Sequence, residues 1–300
     1  LYCRGKPVFA DIQEDTVNID PGEIKKKITR RTKAVIPVHF AGHPCDLGEI
    51  YEIAKKNKLT VIEDAAHALG AKYKGSKIGS CKYSDMTVFS FHPVKHITTG
   101  EGGMVLTNRK DLYEKLLMFR NHGITKDSTR FTTQKAGIVG PWYYEMQELG
   151  FNYRITDFQC ALGLSQLNKL EEFVKKRRDI VNIYNQKLSQ VDEIILPVER
   201  RYVKSSWHLY YIRLKNPKKR KVVFEKLRKS NIGVQVHYIP VHLQPYYREK
   251  FGYKERDFPI AERYYNATIT FPLFPKLTEN EIKNIVKTIS RGFSCLKKKI

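Results

Sequence analysis

Acidic residues are scarce in this 300-residue chain: 31 Asp and Glu stand against 54 Lys and Arg, a formal charge of +23. Cysteine is scarce as well. The five residues Cys3, Cys45, Cys81, Cys160 and Cys295 are odd in number and show no Cys-x-x-Cys spacing. That distribution argues against a disulfide framework or a metal site and fits a reducing cytoplasm. No run of about eighteen apolar residues occurs, so no segment reads as a membrane-spanning helix. The chain opens "LYCRGKPVFADI" without a charged-then-apolar leader, which predicts no secretory signal. It also begins without methionine and almost at once in a strand-like run, as a chain cut inside a domain would. Low-complexity tracts and internal repeats are absent, which argues against a disordered linker or a repeat array.

What remains is a globular composition, 41% hydrophobic and 12% aromatic, long enough for two domains and a substantial core. The basic excess raises nucleic-acid binding as a function. Yet it is spread along the chain in solvated stretches such as "EEFVKKRRD" and "KNPKKRK", with no zinc-finger spacing, RNP-like strand or basic heptads. A lysine-rich surface accounts for it better, and neither a nucleic-acid nor a membrane partner is expected.

Apolar runs alternate with helical patterns through the first half. "KPVFADI", "TKAVIPVHF", "LTVIEDA", "DMTVFSFH" and "GGMVLTN" read as strands. "PGEIKKKI" reads as a helix with proline in its first turn, and "DLGEIYEIAKKNK" as one capped by Asp46. "RKDLYEKLLMFRNHG" reads as a helix closed by Gly123. This β-α rhythm predicts an α/β fold with a mostly parallel, doubly wound sheet, whose functional groups gather at the carboxyl ends of strands. From about Gly150 the pattern changes. "TDFQCALGLSQLNKLEEFVKKRRDIVNIYNQKLSQ" is helical for more than thirty residues, with Gly163 the expected break. Beyond it come strand-like "SSWHLYYIRL", helical "KKRKVVFEKLRKSN", strand-like "IGVQVHYIP" and the helix "TENEIKNIVKTISRGF" capped by Thr278. The division expected is a large domain over residues 1–165, and a connecting helix with a small α+β domain over 166–300.

Two strand ends carry the chemistry. Asp64 closes the apolar run of "LTVIED", where a partly desolvated carboxylate needs a cation or several donors, or caps a following helix. Ser90 and Lys95 follow the next buried strand in "SFHPVKHITTGEGG", before a glycine-rich turn. An anion, a hydroxyl and a lysine in this order suit a phosphorylated pyridine aldehyde: the anion keeps the ring nitrogen protonated, the hydroxyl holds the phosphate, and the lysine forms an imine.

"VIEDAAHALGA", "SFHPVKHITTGEGGMVLTN", "FRNHGI", "LGFNYRITDFQCALGLSQL" and "VHYIPVHLQPYY" together resemble the DegT/DnrJ/EryC1/StrS family of nucleotide-sugar aminotransferases, across nearly the whole chain. The resemblance implies the fold of the pyridoxal-phosphate-dependent transferases of aspartate aminotransferase type (fold type I), with pyridoxal 5'-phosphate as cofactor and a homodimer with shared sites. It implies that Lys95 anchors the cofactor and that Asp64 pairs with its ring nitrogen. His67 would lie close to its phenolic oxygen, Ser90 at its phosphate, and Asn152 at the phosphate of the neighbouring subunit. Tyr153, Arg154, His237, Tyr238 and His242 match positions lining the sugar-nucleotide pocket. "SFHPVK.ITT.EGG" and "VHYIPVHLQPYYR..FGY" point to the branch that aminates a UDP-linked 4-keto-6-deoxy sugar on the way to pseudaminic acid, with L-glutamate as donor. The family's opening helix and its "G(S/T)-x-A" loop have no counterpart, as if the first quarter were missing. The alternatives are another sugar aminotransferase, the family's pyridoxamine-phosphate dehydratases, which carry histidine in place of the lysine, and a non-catalytic basic binding protein.

Overall fold

The computed structural model describes residues 1–133 and 140–297. Helix α1 (Pro21–Lys27) starts where Asp20 accepts the Gly22 N–H and proline takes the first turn. Strand β1 (Ala34–Val35) is followed by α2 (Leu47–Asn57), which buries Leu47, Ile50, Ile53 and Ala54 at helical spacing. Then come β2 (Thr60–Asp64), a hairpin of β3 (Lys72–Tyr73) and β4 (Ser76–Lys77), β5 (Met86–Ser90) and β6 (Gly103–Leu106). Helix α3 (Lys110–Phe119) and the short pair β7 (Ile124–Thr125) and β8 (Glu145–Met146) complete this half.

The central sheet has the order β1-β2-β5-β6, with β1, β2 and β5 parallel and β6 antiparallel. The expected mostly parallel sheet is therefore present, though shorter at its start than the apolar runs predict. "KPVFADI" is an extended segment with one bridge, Ile12 to Ile19. Phe9 within it packs on Tyr247, Tyr253 and Phe258 instead of joining the sheet. Asp46 stands at the cap of α2 without capping it, because its carboxylate is taken by Arg200, Tyr202 and Gln13.

The second half begins with α4 (Asp157–Leu167) and α5 (Leu170–Leu188). The break in this long helical run falls at Asn168–Lys169 and not at Gly163, which lies inside α4. A Cβ at Gly163 would come within 2.9 Å of Thr99 Cγ2, so glycine serves close approach there. After β9 (Ile194–Ile195) and β10 (Val203–Lys204), β11 (Tyr210–Leu214) pairs antiparallel with both β9 and β12 (Thr268–Phe271). Helices α6 (Arg220–Lys229), α7 (Pro245–Phe251), α8 (Pro259–Ala267) and α9 (Glu279–Lys297) complete it, α9 after a Thr278–Glu281 capping box. "IGVQVHYIP" forms no strand, only one bridge from Gln235 to Thr270. Three apolar clusters form among the described residues, the smallest being Val17, Ala41, Tyr211 and Tyr264. Of the two larger ones, one spans Ile24 to Ile97 with Val203, under the central sheet, and the other spans Ile180 to Ile289 around β11.

The segment before β11 is clamped to the turn after β1 by backbone bonds. Ser206 N–H donates to Gly42 O (3.1 Å) and His208 N–H to Ala41 O (2.8 Å). Gly42 has φ of 92°, and a Cβ there would lie 2.7–2.9 Å from Ser206 Oγ, Trp207 N and His208 N. Both the backbone angle and the space require glycine. Gly42→Ala is expected to destabilise the fold by at least about 2 kcal/mol, from left-handed strain plus displacement of the clamp. Denaturant unfolding of the two proteins checks this.

Candidate active site

Strands β2 and β5 run parallel with Asp64 opposite Val88, so their carboxyl ends lie side by side. Asp64 is held there by its backbone: its N–H donates to Pro37 O (2.9 Å) and its carbonyl accepts the His39 N–H (3.0 Å). No helix follows it. The chain turns instead, with Asp64 Oδ1 accepting the Ala66 N–H at 3.1 Å. The helix-cap alternative for this residue is thereby replaced by a local turn.

One strand over, Ser90 ends β5, and its half-buried Oγ accepts the His92 N–H at 3.3 Å. The chain folds back so that the Lys95 N–H meets His92 O at 2.9 Å, and the loop returns into β6 opposite Ser90. The glycines of that loop do not form an open cradle throughout. A Cβ at Gly103 would sit 2.7 Å from Phe89 O, whereas Gly100 alone of the three has nothing within 4 Å. Thr98 and Thr99 are tied into the same loop, through Phe91 O and Glu101 O.

Lys95 is half-buried, and burial lowers the pKa of its amine from the usual lysine value, with the Asp64 carboxylate opposing the shift. Aspartate and lysine are thus electrostatically coupled across the strand ends. His67 completes the group. It is 8% exposed, its Nδ1 is buried without a hydrogen-bond partner among the described residues, and its pKa falls to about 3. Burial is the chief cause, followed by the charge of Lys95 and then His237. The imidazole is therefore uncharged at neutral pH.

His237 and Tyr238 reach the same place from the far half of the chain. The Tyr238 ring lies 6.3 Å from that of His67, nearly parallel, and 6.4 Å from Phe40. His237 Nδ1 is bonded to Thr270 Oγ1 (3.0 Å), and burial together with Lys95 lowers its pKa. The remaining expected residues stand elsewhere. Asn152, Tyr153 and Arg154 are exposed beside the end of α3: Asn152 bridges Asn121, Tyr153 N–H donates to Arg120 O, and Arg154 Nη1 donates to Asn121 Oδ1. None of their described contacts runs to Lys95, Asp64 or His67. His242 is 3% exposed, with Nε2 bonded to Glu262 Oε1 (3.0 Å) and its ring on Phe258. The structure does not bring it into the group.

Sequence reasoning missed His208, whose ring lies 4.3 Å from that of His67. Only its neighbours in "SSWHLYY" could have signalled it, and they read as a plain strand. The segment 205–209 is irregular because the clamp to Ala41 and Gly42 holds it.

The chain matches the model of the DegT/DnrJ/EryC1/StrS aminotransferase family over residues 1–290. It belongs to that family. An uncharacterized protein of Methanocaldococcus jannaschii is 47% identical over 97% of this chain and 75% of its own length. The UDP-4-amino-4,6-dideoxy-N-acetyl-beta-L-altrosamine transaminase of Campylobacter jejuni (serotype O:23/36) is 36% identical over 99% and 75%. Among solved structures, Helicobacter pylori PseC, an aminotransferase involved in the biosynthesis of pseudoaminic acid, superposes with a TM-score of 0.87 at 33% identity, over 97% of this chain and 74% of that one. The protein is a sugar aminotransferase with the fold of pyridoxal-phosphate-dependent transferases, and pyridoxal phosphate is its cofactor.

The residues fit that cofactor. A half-buried amine of lowered pKa, a carboxylate coupled to it and a buried imidazole nitrogen without a partner meet at one rim. Because the Lys95 amine gives up its proton more readily than a surface lysine, its neutral, nucleophilic form is reached at lower pH. In the chain without cofactor, acylation of Lys95 by an amine reagent should show a midpoint below the 10.5 of an ordinary lysine. Peptide-resolved labelling across pH checks this, and a Lys95 profile matching surface lysines would contradict the site.

Proposed function

We propose that the protein moves an amino group from an amino acid, L-glutamate, to the C4 ketone of a UDP-linked 4-keto-6-deoxy sugar. The observation that carries this reading is the coupling of half-buried Lys95 to Asp64 at adjacent ends of parallel strands. The names of the relatives from Campylobacter jejuni and Helicobacter pylori support the choice of sugar.

Lys95 would anchor the cofactor covalently, Asp64 would face its ring nitrogen, Ser90 its phosphate and His67 its phenolic oxygen. Bound pyridoxal phosphate supplies an electron sink for the carbon that loses or gains a proton. Lys95 Nζ, neutral when released, takes the proton from the donor's Cα as general base. In the second half-reaction it works at C4 of the sugar, with the proton moving in the opposite sense. Asp64 favours a cationic neighbour at the ring nitrogen, and its strand-end position fixes its direction. His237 and Tyr238 line the sugar side in this proposal. His96, next to Lys95 in sequence, is buried and donates from Nε2 to Ser206 O, so it does not take the place of the lysine as in the dehydratase alternative.

We further propose that the sites are completed by a second copy. Helix α4 buries no residue, and Phe158 (90% exposed), Leu162, Leu164 and Leu167 present apolar surface beside Leu149, Phe151 and Tyr153. So many exposed large apolar side chains on one helix and the segment leading into it mark an interface. It adjoins Asn152 and Arg154, which would then serve the neighbouring site.

Borohydride reduction after addition of pyridoxal phosphate, followed by peptide mass mapping, is expected to find the adduct on Lys95. An adduct on another lysine would refute the anchor. Lys95→Ala should lose at least about 10⁴-fold in turnover, the upper range for a proton-transfer group. Phe158→Glu is expected to shift the protein to the mass of a single chain in sedimentation, with the folded spectrum kept.

A further inference from the structure

Three buried imidazoles lie between Lys95 and helix α5. The ring of His67 is 4.3 Å from that of His208, and His208 is 5.4 Å from His96. Each has a buried Nδ1 with no hydrogen-bond partner among the described residues. Leaving a buried polar atom unpaired costs about 1–3 kcal/mol, so three in contact call for an explanation. His96 donates from Nε2 to Ser206 O (3.1 Å), which fixes its tautomer and leaves Nδ1 bare.

His208, only 6% exposed, is the best held of the three. Its N–H donates to Ala41 O (2.8 Å), and its carbonyl accepts from Arg177 Nη1 (3.2 Å). The same guanidinium nitrogen donates to Trp207 O and Leu273 O. Ser206 Oγ, two residues back, donates to His67 O (3.1 Å) and so ties the two segments together. His67, by contrast, has no described side-chain hydrogen bond. Its ring is placed by contact with His208, Phe40 and Tyr238.

We propose that His208 is a positioning residue of the cofactor site: clamped by its own backbone and packed at a tilt against His67, it sets the ring plane of His67 beside Lys95 and keeps water from its buried face. This rests on the assignment of Lys95 as the cofactor's anchor. The groups facing the stack are Lys95 from the loop after β5, His237 from the segment before α7, and Arg177 from α5, all basic. Burial and these neighbours keep all three imidazoles uncharged, so His67 meets the cofactor as a neutral hydrogen-bonding group. Removing the His208 ring would open the buried face of His67 to water and free its plane.

Histidine-labelled chain without cofactor, titrated by nuclear magnetic resonance, reads this directly. In the native chain His67 should stay uncharged from about pH 5 to pH 8, the window in which an exposed histidine titrates. In His208→Ala and His208→Leu its midpoint should rise by about one pH unit, a tenfold gain in proton affinity. His208→Phe, which keeps a flat ring, should return it to the native value. The Ala and Leu variants should also bind pyridoxal phosphate more weakly than the native chain. A His67 charged at neutral pH in the native chain would overturn the proposal, as would native titration in the Leu variant, which decides if the Ala variant does not fold. Because the titration needs no cofactor, its failure is distinct from a missing borohydride adduct on Lys95, which would remove the anchor itself.

Discussion

The parallel pairing of β2 with β5 is the constraint on which the site depends. Its register sets Asp64 opposite Val88, two residues before Ser90, so an aspartate and a serine 26 residues apart in the sequence share one rim. Parallel strands need a crossover between them, and here the β3–β4 hairpin and the buried turn Ala65–Ala68 fill that path. A slip of one residue would turn Asp64 to the other face and separate it from Lys95. The carboxylate would then no longer oppose the loss of the lysine's proton.

The second determinant is the contact between the halves of the chain. The turn at Ala41–Gly42 receives the 206–208 segment through backbone bonds, and Arg177 gathers three carbonyls, two from that same segment and one from Leu273. Arg177 has no carboxylate among its described partners, and burial lowers its pKa to about 10. A buried guanidinium that meets carbonyls through Nη1 and leaves Nε without a described partner is a costly arrangement, and it holds those backbone segments together. It brings His208 to His67, and the three uncharged imidazoles form the buried side of the lysine's surroundings, across from the Asp64 carboxylate.

Much of this was legible in the residues. "LTVIEDA" and "DMTVFSFH" became β2 and β5 because short apolar runs rich in branched residues suit buried parallel strands. The group Asp64, His67 and Lys95 was likewise readable, since strand ends of such a sheet converge. Other elements were misread where tertiary contact overrode local pattern. "KPVFADI" has strand periodicity but packs its Phe9 into an aromatic cluster 240 or so residues away in the chain, and Asp46 exchanged its capping role for Arg200 and Tyr202. His242, whose motif implies a place near the substrate, is bonded to Glu262.

The sequence by itself determined the family, the parallel sheet and the identities at the strand ends, because those follow from local hydrophobic patterning and from the residue types a phosphorylated pyridine aldehyde requires. Only the tertiary structure decided that Lys95 is half-buried and coupled to Asp64, that His67 is uncharged, and that His208 lies against it. Protonation and ring position are set by desolvation and by neighbours brought in from other strands and from more than a hundred residues away, and no local pattern along the chain encodes either.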